Sequence, residues 1–166
     1  MPRSKPYSTG DDVLDESVRA LLDEAGLDSG DRHLFDMAVS VLRIGREDAD
    51  RLDLKIVAAT LKELRYAFEV FAPHRHVRKA AVFGSARTAV DAPAYAAARE
   101  VGAALAARRW HIITGGGPGI MTAAVQGAGR DSSWAVSIQL PFEKENVDSL
   151  LAPGRSVNFR YFFNRK

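Results

Sequence analysis

The sequence predicts an α/β protein, with a parallel sheet covered by helices and a small helical region before it. From residue 78 onward, short apolar runs alternate with helical patterns in the order β-α-β-α-β. Strands that are apolar on both faces are typical of a parallel sheet buried between helices. Before residue 73, apolar residues recur at the helical period instead. We therefore expect a disordered tail at residues 1–10, a helical region at 11–72 and a Rossmann-like nucleotide-binding domain at 78–166.

Each element follows from a local pattern. Acidic residues begin the first helix, "DDVLDESVRALLDEAGL", and Gly26 can end it. The second helix covers "SGDRHLFDMAVSVLRIGRED", and the third covers "DRLDLKIVAATLKELRYAFEVFAP" and ends at Pro73. In the second half, Pro93 suits the first turn of "DAPAYAAAREVGAALAARR", and "IMTAAVQGAGR" forms a short helix ended by Gly127 or Gly129. The predicted strands are "AAVFGS", "WHIIT", "SSWAVSIQL" and "VNFRYFF".

Composition excludes several functional classes. The 166 residues are 46% hydrophobic and 27% charged, as in a packed globular domain. The absence of cysteine excludes thiolate nucleophiles, disulfides and thiolate metal sites. Only His74 and His76 are closely spaced, and they lie among cations, so we expect surface histidines and no metal site. The N-terminal residues lack the apolar core of a secretory signal, and no apolar run reaches the ~20 residues of a membrane helix, which predicts a cytoplasmic protein without a membrane partner.

Charge is distributed unevenly along the chain. Residues 1–72 contain 10 Lys and Arg against 15 Asp and Glu, whereas residues 73–166 contain 13 against 6. A basic second half suits an anionic ligand such as a phosphate. The sequence shows no basic stripe interleaved with aromatic residues, so we expect no nucleic-acid partner.

Glycine-rich turns follow the first two predicted strands, as "FGSAR" and "TGGGPGIM". If these strands are neighbours, both turns line one crevice at the carboxyl ends of the strands. Glycine lets backbone N–H groups approach an anion closely, and the following helix directs its N-terminus to the same place. The alternative is a tight strand-to-helix turn without a ligand, but four glycines in five residues favour a ligand. The candidate binding residues are Gly84, Ser85, Arg87, Thr114, Gly115, Gly116, Gly117, Gly119 and Met121.

Two common nucleotide fingerprints do not fit the second turn. The dinucleotide motif G-x-G-x-x-G needs a third glycine five residues after the first, where Ile120 follows Gly115 and Thr122 follows Gly117. The P-loop needs Lys after its last glycine, but Gly119 is followed by Ile120. The sequence therefore argues against a bound dinucleotide cofactor and a P-loop nucleotide, and it leaves another phosphate-bearing ligand open.

Four blocks resemble successive parts of the LOG (LONELY GUY) family, formerly called lysine-decarboxylase-like. They are "AAVFGSAR", "IITGGGPGIMTAAVQGA", "SIQLPFEKEN" and "FFNRK". The resemblance covers residues 78–166 and implies a Rossmann-like fold, a homodimer or larger homo-oligomer, and no cofactor. It also implies hydrolysis of the N-glycosidic bond of nucleoside 5′-monophosphates, such as AMP or cytokinin ribotides, to free base and ribose 5-phosphate.

The resemblance also implies roles for two residues near the end of the sequence. The family pairs an Arg of an R-K block with a Glu of a later P-G-G-x-G-T-x-x-E block. Arg165 and Lys166 match the first block, as catalytic and substrate-binding residues respectively, and the second block is absent. We therefore expect a truncated form of the enzyme that is inactive, or nearly so, on its own.

Other interpretations remain open. A nucleotide or molybdenum-cofactor carrier on the same fold would share the glycine block without hydrolysing its ligand. The acidic helical region could instead dock a partner or the basic half of the chain. Glu143 and Glu145 form the close acidic pair of the sheet domain, but such a pair in a loop is more typical of a solvated surface than of a catalytic dyad. The aromatic residues at the end of the sequence are expected to be core or dimer contacts: Phe159, Tyr161, Phe162 and Phe163.

Overall fold

The computed structural model describes residues 7–138 and 147–160 and confirms the α/β class with a Rossmann-like fold. The helices are α1 (Asp12–Glu24), α2 (Arg32–Arg46), α3 (Arg51–Phe71), α4 (Pro93–Ala107) and α5 (Ile120–Ala128). The strands are β1 (Lys79–Ala81), β2 (His111–Thr114), β3 (Ser133–Ile138) and β4 (Ser156–Phe159). Short 3₁₀ turns lie at Ala72–His74, Arg130–Ser132 and Val147–Leu150. Within the described ranges, no helix is long and apolar enough to cross a bilayer.

The chain divides into two compact units, which we call the helical unit (Met1–Ala59) and the sheet unit (Thr60–Lys166). This division falls inside α3, whereas the sequence places it between residues 72 and 78. The difference arises because the second half of α3 belongs to the sheet core, where Ala67 is buried with Val136 and Val157. Helical periodicity alone does not show which neighbour a helix covers.

The helical unit is built on capped, amphipathic helices. Asp11 and Asp31 precede α1 and α2, and each carboxylate accepts two backbone N–H bonds from the first turn. Residues 1–6 of the predicted disordered tail lie outside the described residues. Thr9, in contrast, is held on α1, because its N–H and hydroxyl donate to the Asp15 carboxylate at 2.9 and 2.6 Å and lower the pKa of that group. The core consists of Val18, Phe35 and Val39, with Leu22, Ala38 and Leu42 packed against it.

The sheet is parallel, with strands in the order β1-β2-β3-β4. The register pairs Lys79 with His111, and Val82 continues the contact beyond β1 by donating its N–H to the Ile113 carbonyl at 2.9 Å. The four strands therefore lie side by side in the same order in which they occur in the sequence. Because right-handed connections that advance in one direction lie on one face, α4 and α5 are expected on the same side.

Different helices cover the two faces of the sheet. Successive strand residues point to opposite faces. In β2, Ile112 is buried in a cluster with Val125 of α5, and Leu105 of α4 packs against that cluster. Ile113 instead packs on the cluster that contains Ala67 of α3. The sheet unit is therefore three layers, with α4 and α5 on one face and the second half of α3 on the other.

Glycines allow α4 and α5 to touch through their backbones. A Cβ on Gly102 would lie 2.2 Å from the Ala124 carbonyl oxygen, and one on Gly127 would lie 1.9 Å from the Arg99 carbonyl oxygen. The Tyr95 hydroxyl of α4 also donates to the Gln126 side chain of α5 at 3.0 Å. The close packing of α4 and α5 fixes the position of α5, whose N-terminus follows the second glycine turn.

Candidate functional site

The two glycine turns leave the same edge of the sheet, as the sequence predicts. Strands β1 and β2 are paired neighbours, so the loops that follow them, residues 82–92 and 115–119, both start at the carboxyl edge. In a parallel α/β sheet this edge is where ligands bind.

The second loop depends on glycine at two positions. Gly116 has φ +82°, and Gly119 has φ +67° with ψ −126°, which side-chain-bearing residues rarely adopt. Gly116 lies over β3, where a Cβ would meet the Cβ atoms of Ala135 and Ser137 at 3.4 Å. Thr114 is fully buried, and its hydroxyl oxygen accepts the Gly116 N–H at 3.2 Å. Thr114 therefore shapes the turn in this structure, and its predicted contact with a ligand stays a prediction.

The two loops touch each other backbone to backbone. The Ile120 N–H, at the start of α5, donates to the Ser85 carbonyl at 3.2 Å. A Cβ on Gly119 would lie 2.3 Å from the same oxygen, and a Cβ on Gly84 would lie 2.5 Å from Cγ2 of Ile120. Gly84 and Gly119 are thus required for this contact, which joins "FGSAR" to the N-terminus of α5.

Backbone donors remain open beside this contact. Among residues 7–138 and 147–160, the N–H groups of Gly117, Met121 and Thr122 form no hydrogen bond. The first N–H groups of a helix carry partial positive charge and are suited to an anion. The terminal methyl of Met121 packs directly on Gly117. A Cβ added to Gly117 would lie 2.7 Å from this methyl group. The loop therefore presents unpaired donors at the carboxyl edge.

Ser85 and Arg87 are both exposed in the first loop. The Ser85 hydroxyl oxygen accepts the Arg87 N–H at 3.1 Å, which leaves the hydroxyl hydrogen able to donate. Gly115 lies half-buried between Thr114 and Gly116. The described candidate residues of the two turns therefore lie in neighbouring loops, and their roles in binding stay predictions.

Several predicted residues lie outside the described ranges: Glu143, Glu145, Tyr161, Phe162, Phe163, Arg165 and Lys166. Phe159 is described and is buried in the core beneath α3, in agreement with the expected core role.

Sequence reasoning missed two exposed residues in the first loop. Phe83 directly follows the β1 ladder and is 55% exposed. Asp91 is exposed in the same connection and is the single acidic residue of the two loops, both of which are fully described. Its position between a strand and Pro93 of α4 was the available signal. No group of three or more metal-ligating side chains occurs within the described parts of the chain.

At the amino edge of the sheet, one histidine differs from the expected surface position. His111 is partly buried, and its Nδ1 accepts the Trp134 indole N–H at 3.0 Å, which requires a lone pair on Nδ1. Arg155 lies over the Trp134 ring at 4.1 Å. Burial lowers the pKa of His111, and the nearby Arg155 charge lowers it further. The pKa of His74 is lowered by the same two causes in the same order. Both histidines are therefore biased toward the neutral form.

Acidification is expected to destabilise the sheet unit. Because folding lowers the pKa of His74 and His111, the unfolded chain binds more protons once the pH falls to about 6.5, the ordinary histidine value. The contribution of the two histidines to the free energy of unfolding should be constant above about pH 7.5 and fall as the pH drops through about 6.5. Urea unfolding at a series of pH values measures this, and tryptophan fluorescence reports on the sheet unit because both tryptophans, Trp110 and Trp134, belong to it.

The variant His111→Gln is the control for this pH dependence. Glutamine keeps an acceptor for the Trp134 N–H but does not titrate. The decline in stability between about pH 7.5 and 5.5 should be smaller in this variant, since one of the two titrating groups is gone. An unchanged decline would contradict the assignment to His111.

The comparisons with known proteins concern the segment that carries both glycine loops. No curated protein matches the sequence. A family match is found, and it indicates a nucleotide-related function. Residues 77–156 match the model of the SLOG cluster4 family, from a superfamily that includes LOG-like proteins.

Proposed function

We propose that the carboxyl edge beside β1 and β2 binds the 5′-phosphate of a nucleoside monophosphate such as AMP. The observation that carries the proposal is the set of open N–H groups at Gly117, Met121 and Thr122, next to the N-terminus of α5. Ser85 adds a hydroxyl and Arg87 a cation from the adjoining loop. Backbone donors, a helix terminus and a guanidinium are the groups that bind phosphate in proteins.

We propose further that this site hydrolyses the N-glycosidic bond of the bound nucleotide. Water adds to C1′ of the ribose, the bond to the base nitrogen breaks, and the base leaves with a proton to give free base and ribose 5-phosphate. The resemblance to LOG proteins and the SLOG cluster4 match support this reaction. The transition state places positive charge on the sugar, so a carboxylate is needed to stabilise it and activate water. Asp91 is the acidic side chain that the two described loops offer.

A nucleotide carrier is the second candidate function. The composition of the two loops favours it, because they supply N–H, hydroxyl and guanidinium groups for a phosphate but a single carboxylate, which is exposed. Chromatography of AMP incubated with the chain tests for hydrolysis. Release of adenine and ribose 5-phosphate in equal amounts would identify a hydrolase and exclude a carrier.

The variant Arg87→Ala is expected to weaken AMP binding about tenfold. Removing a charge-assisted hydrogen bond to phosphate costs about 1.5 kcal/mol, which corresponds to a factor of roughly ten in affinity. Calorimetric titration of AMP and of adenosine measures the effect. Adenosine lacks the phosphate, so it should bind more weakly than AMP and be insensitive to the substitution.

The matched control for this experiment is Arg65→Ala. Arg65 is exposed on α3, where its guanidinium pairs with Glu69 at 3.2 Å. Losing this surface pair costs about 0.3–0.5 kcal/mol of stability and should leave AMP affinity unchanged. Equal affinities for AMP and adenosine, or an Arg87→Ala variant that binds AMP as tightly as the parent chain, would refute the proposed phosphate site.

A further inference from the structure

A pocket of about 500 Å³ lies at the amino edge of the sheet, at the opposite ends of the strands from the glycine loops. Two separate segments form it, one before β1 and one before β2, and the pairing of Lys79 with His111 brings them together. Its volume lies in the range of small-molecule sites. Its lining consists of His76, Val77, Arg78, Arg108, Arg109 and Trp110.

The charge of this pocket is strongly positive. Three of its lining residues are arginines, and none is acidic. Within residues 7–138 and 147–160, no carboxylate forms an ion pair with Arg78, Arg108 or Arg109. The three lining arginines therefore have no opposite charge beside them among the described residues, and a bound anion would supply it.

The backbone of Arg109 has a conformation that normally belongs to glycine. Its φ is +61°, and it is the residue outside glycine with positive φ among the described parts of the chain. It directly follows Arg108, the C-cap of α4, at the position where glycine is the usual residue because a Cβ is disfavoured there. If this residue only ended the helix, glycine would do so with less backbone strain. The guanidinium that Arg109 adds to the pocket is therefore the feature that needs a function.

The aromatic component is Trp110. Its side chain is partly exposed in the pocket, and the Arg78 guanidinium lies 5.7 Å above its ring centroid. A tryptophan face beside arginines can stack a planar base while the guanidinium groups bind phosphate. An extended nucleic acid would need a longer basic track, whereas this pocket is bounded by six residues.

We propose that this pocket is a second ligand site that binds a nucleoside polyphosphate, with its phosphates on the arginines and its base against Trp110. The proposal is independent of the function of the glycine loops, because no residue is shared between the two sites. Inorganic tripolyphosphate tests the phosphate contacts alone, and ATP tests phosphate and base together.

The decisive variant is Arg109→Gly. Calorimetric titration is expected to show at least tenfold weaker binding of both ATP and tripolyphosphate. The midpoint of thermal unfolding should stay the same or rise, because glycine tolerates a φ of +61°. This combination separates the two roles of Arg109, since a residue kept only to end α4 would leave anion affinity unaltered when glycine replaces it.

Three outcomes would overturn the proposal. The first is an Arg109→Gly variant that binds ATP and tripolyphosphate as the parent chain does. The second is binding that survives Arg109→Gly but is lost in Arg87→Ala, which would place the anion at the glycine loops. The third is a single-stranded oligonucleotide that binds far more tightly than ATP and depends on Arg109, which would identify a nucleic-acid surface. Arg65→Ala serves as the control for loss of one surface cation, and it should bind both ligands normally.

Discussion

Replacing Gly127 with alanine should destabilise the sheet unit by about 3 kcal/mol, although alanine ordinarily stabilises a helix. The added Cβ would lie 1.9 Å from the carbonyl oxygen of Arg99 and 2.7 Å from its carbonyl carbon. Both are backbone atoms within α4, so relief requires the two helices to separate. Urea unfolding followed by tryptophan fluorescence measures the loss, because Trp110 and Trp134 both lie in the sheet unit.

The matched control is Gly45→Ala in α2, where a Cβ would meet nothing within 4 Å. Here the propensity effect acts alone, so the substitution should stabilise the helical unit by about 0.5–1 kcal/mol. Far-UV circular dichroism is the suitable readout, because this unit contains no tryptophan. If both substitutions changed stability in the same direction, the claim that α4 and α5 leave no room for a Cβ at Gly127 would be refuted.

The second large effect is expected for Gly119→Ala, which should lower AMP affinity more than tenfold and destabilise the sheet unit by about 2–3 kcal/mol. Alanine disfavours φ +67° with ψ −126°, and its Cβ would lie 2.3 Å from the Ser85 carbonyl oxygen. To relieve the backbone strain or the clash, the two loops must separate. This separation breaks the hydrogen bond from the Ile120 N–H to the Ser85 carbonyl. Calorimetry with AMP and urea unfolding measure the two parts.

Gly129→Ala separates backbone strain from the contact between the loops. Gly129 also has positive φ, +79°, but a Cβ there meets nothing within 4 Å. It caps the other end of α5, so the variant should lose stability through strain while keeping its AMP affinity. An equal loss of AMP affinity in both variants would mean that general destabilisation, rather than the joined loops, controls binding.

Local patterns predicted much of the fold. The helix expected in "DAPAYAAAREVGAALAARR" is α4, with Pro93 as its first residue, because proline restricts the first turn locally. The strand expected in "WHIIT" is β2, and its pairing with β1 makes the predicted crevice possible. These features depend on helix and strand propensities and on apolar runs, which can be recognised from neighbouring residues alone.

Features that depend on distant contacts could not be predicted from single segments. The sequence predicts that Gly127 or Gly129 ends α5, and Gly129 is its C-cap. Gly127 lies inside the helix, where its missing Cβ makes room for the Arg99 backbone of α4. The need for glycine at position 119 depends on Ser85, which lies more than 30 residues earlier in the chain. The basic pocket at the amino edge joins "HRHVRK" to "ARRWH", and neither segment alone shows it.

Backbone amide shifts of the ¹⁵N-labelled chain during an AMP titration give the most direct test of the proposed phosphate site. We expect the largest shifts at the open N–H groups of Gly117, Met121 and Thr122, with adenosine producing much smaller shifts at the same amides. AMP-induced shifts that avoid these amides, or that are confined to Trp110 and its neighbours at the amino edge, would contradict a phosphate site in the glycine loops.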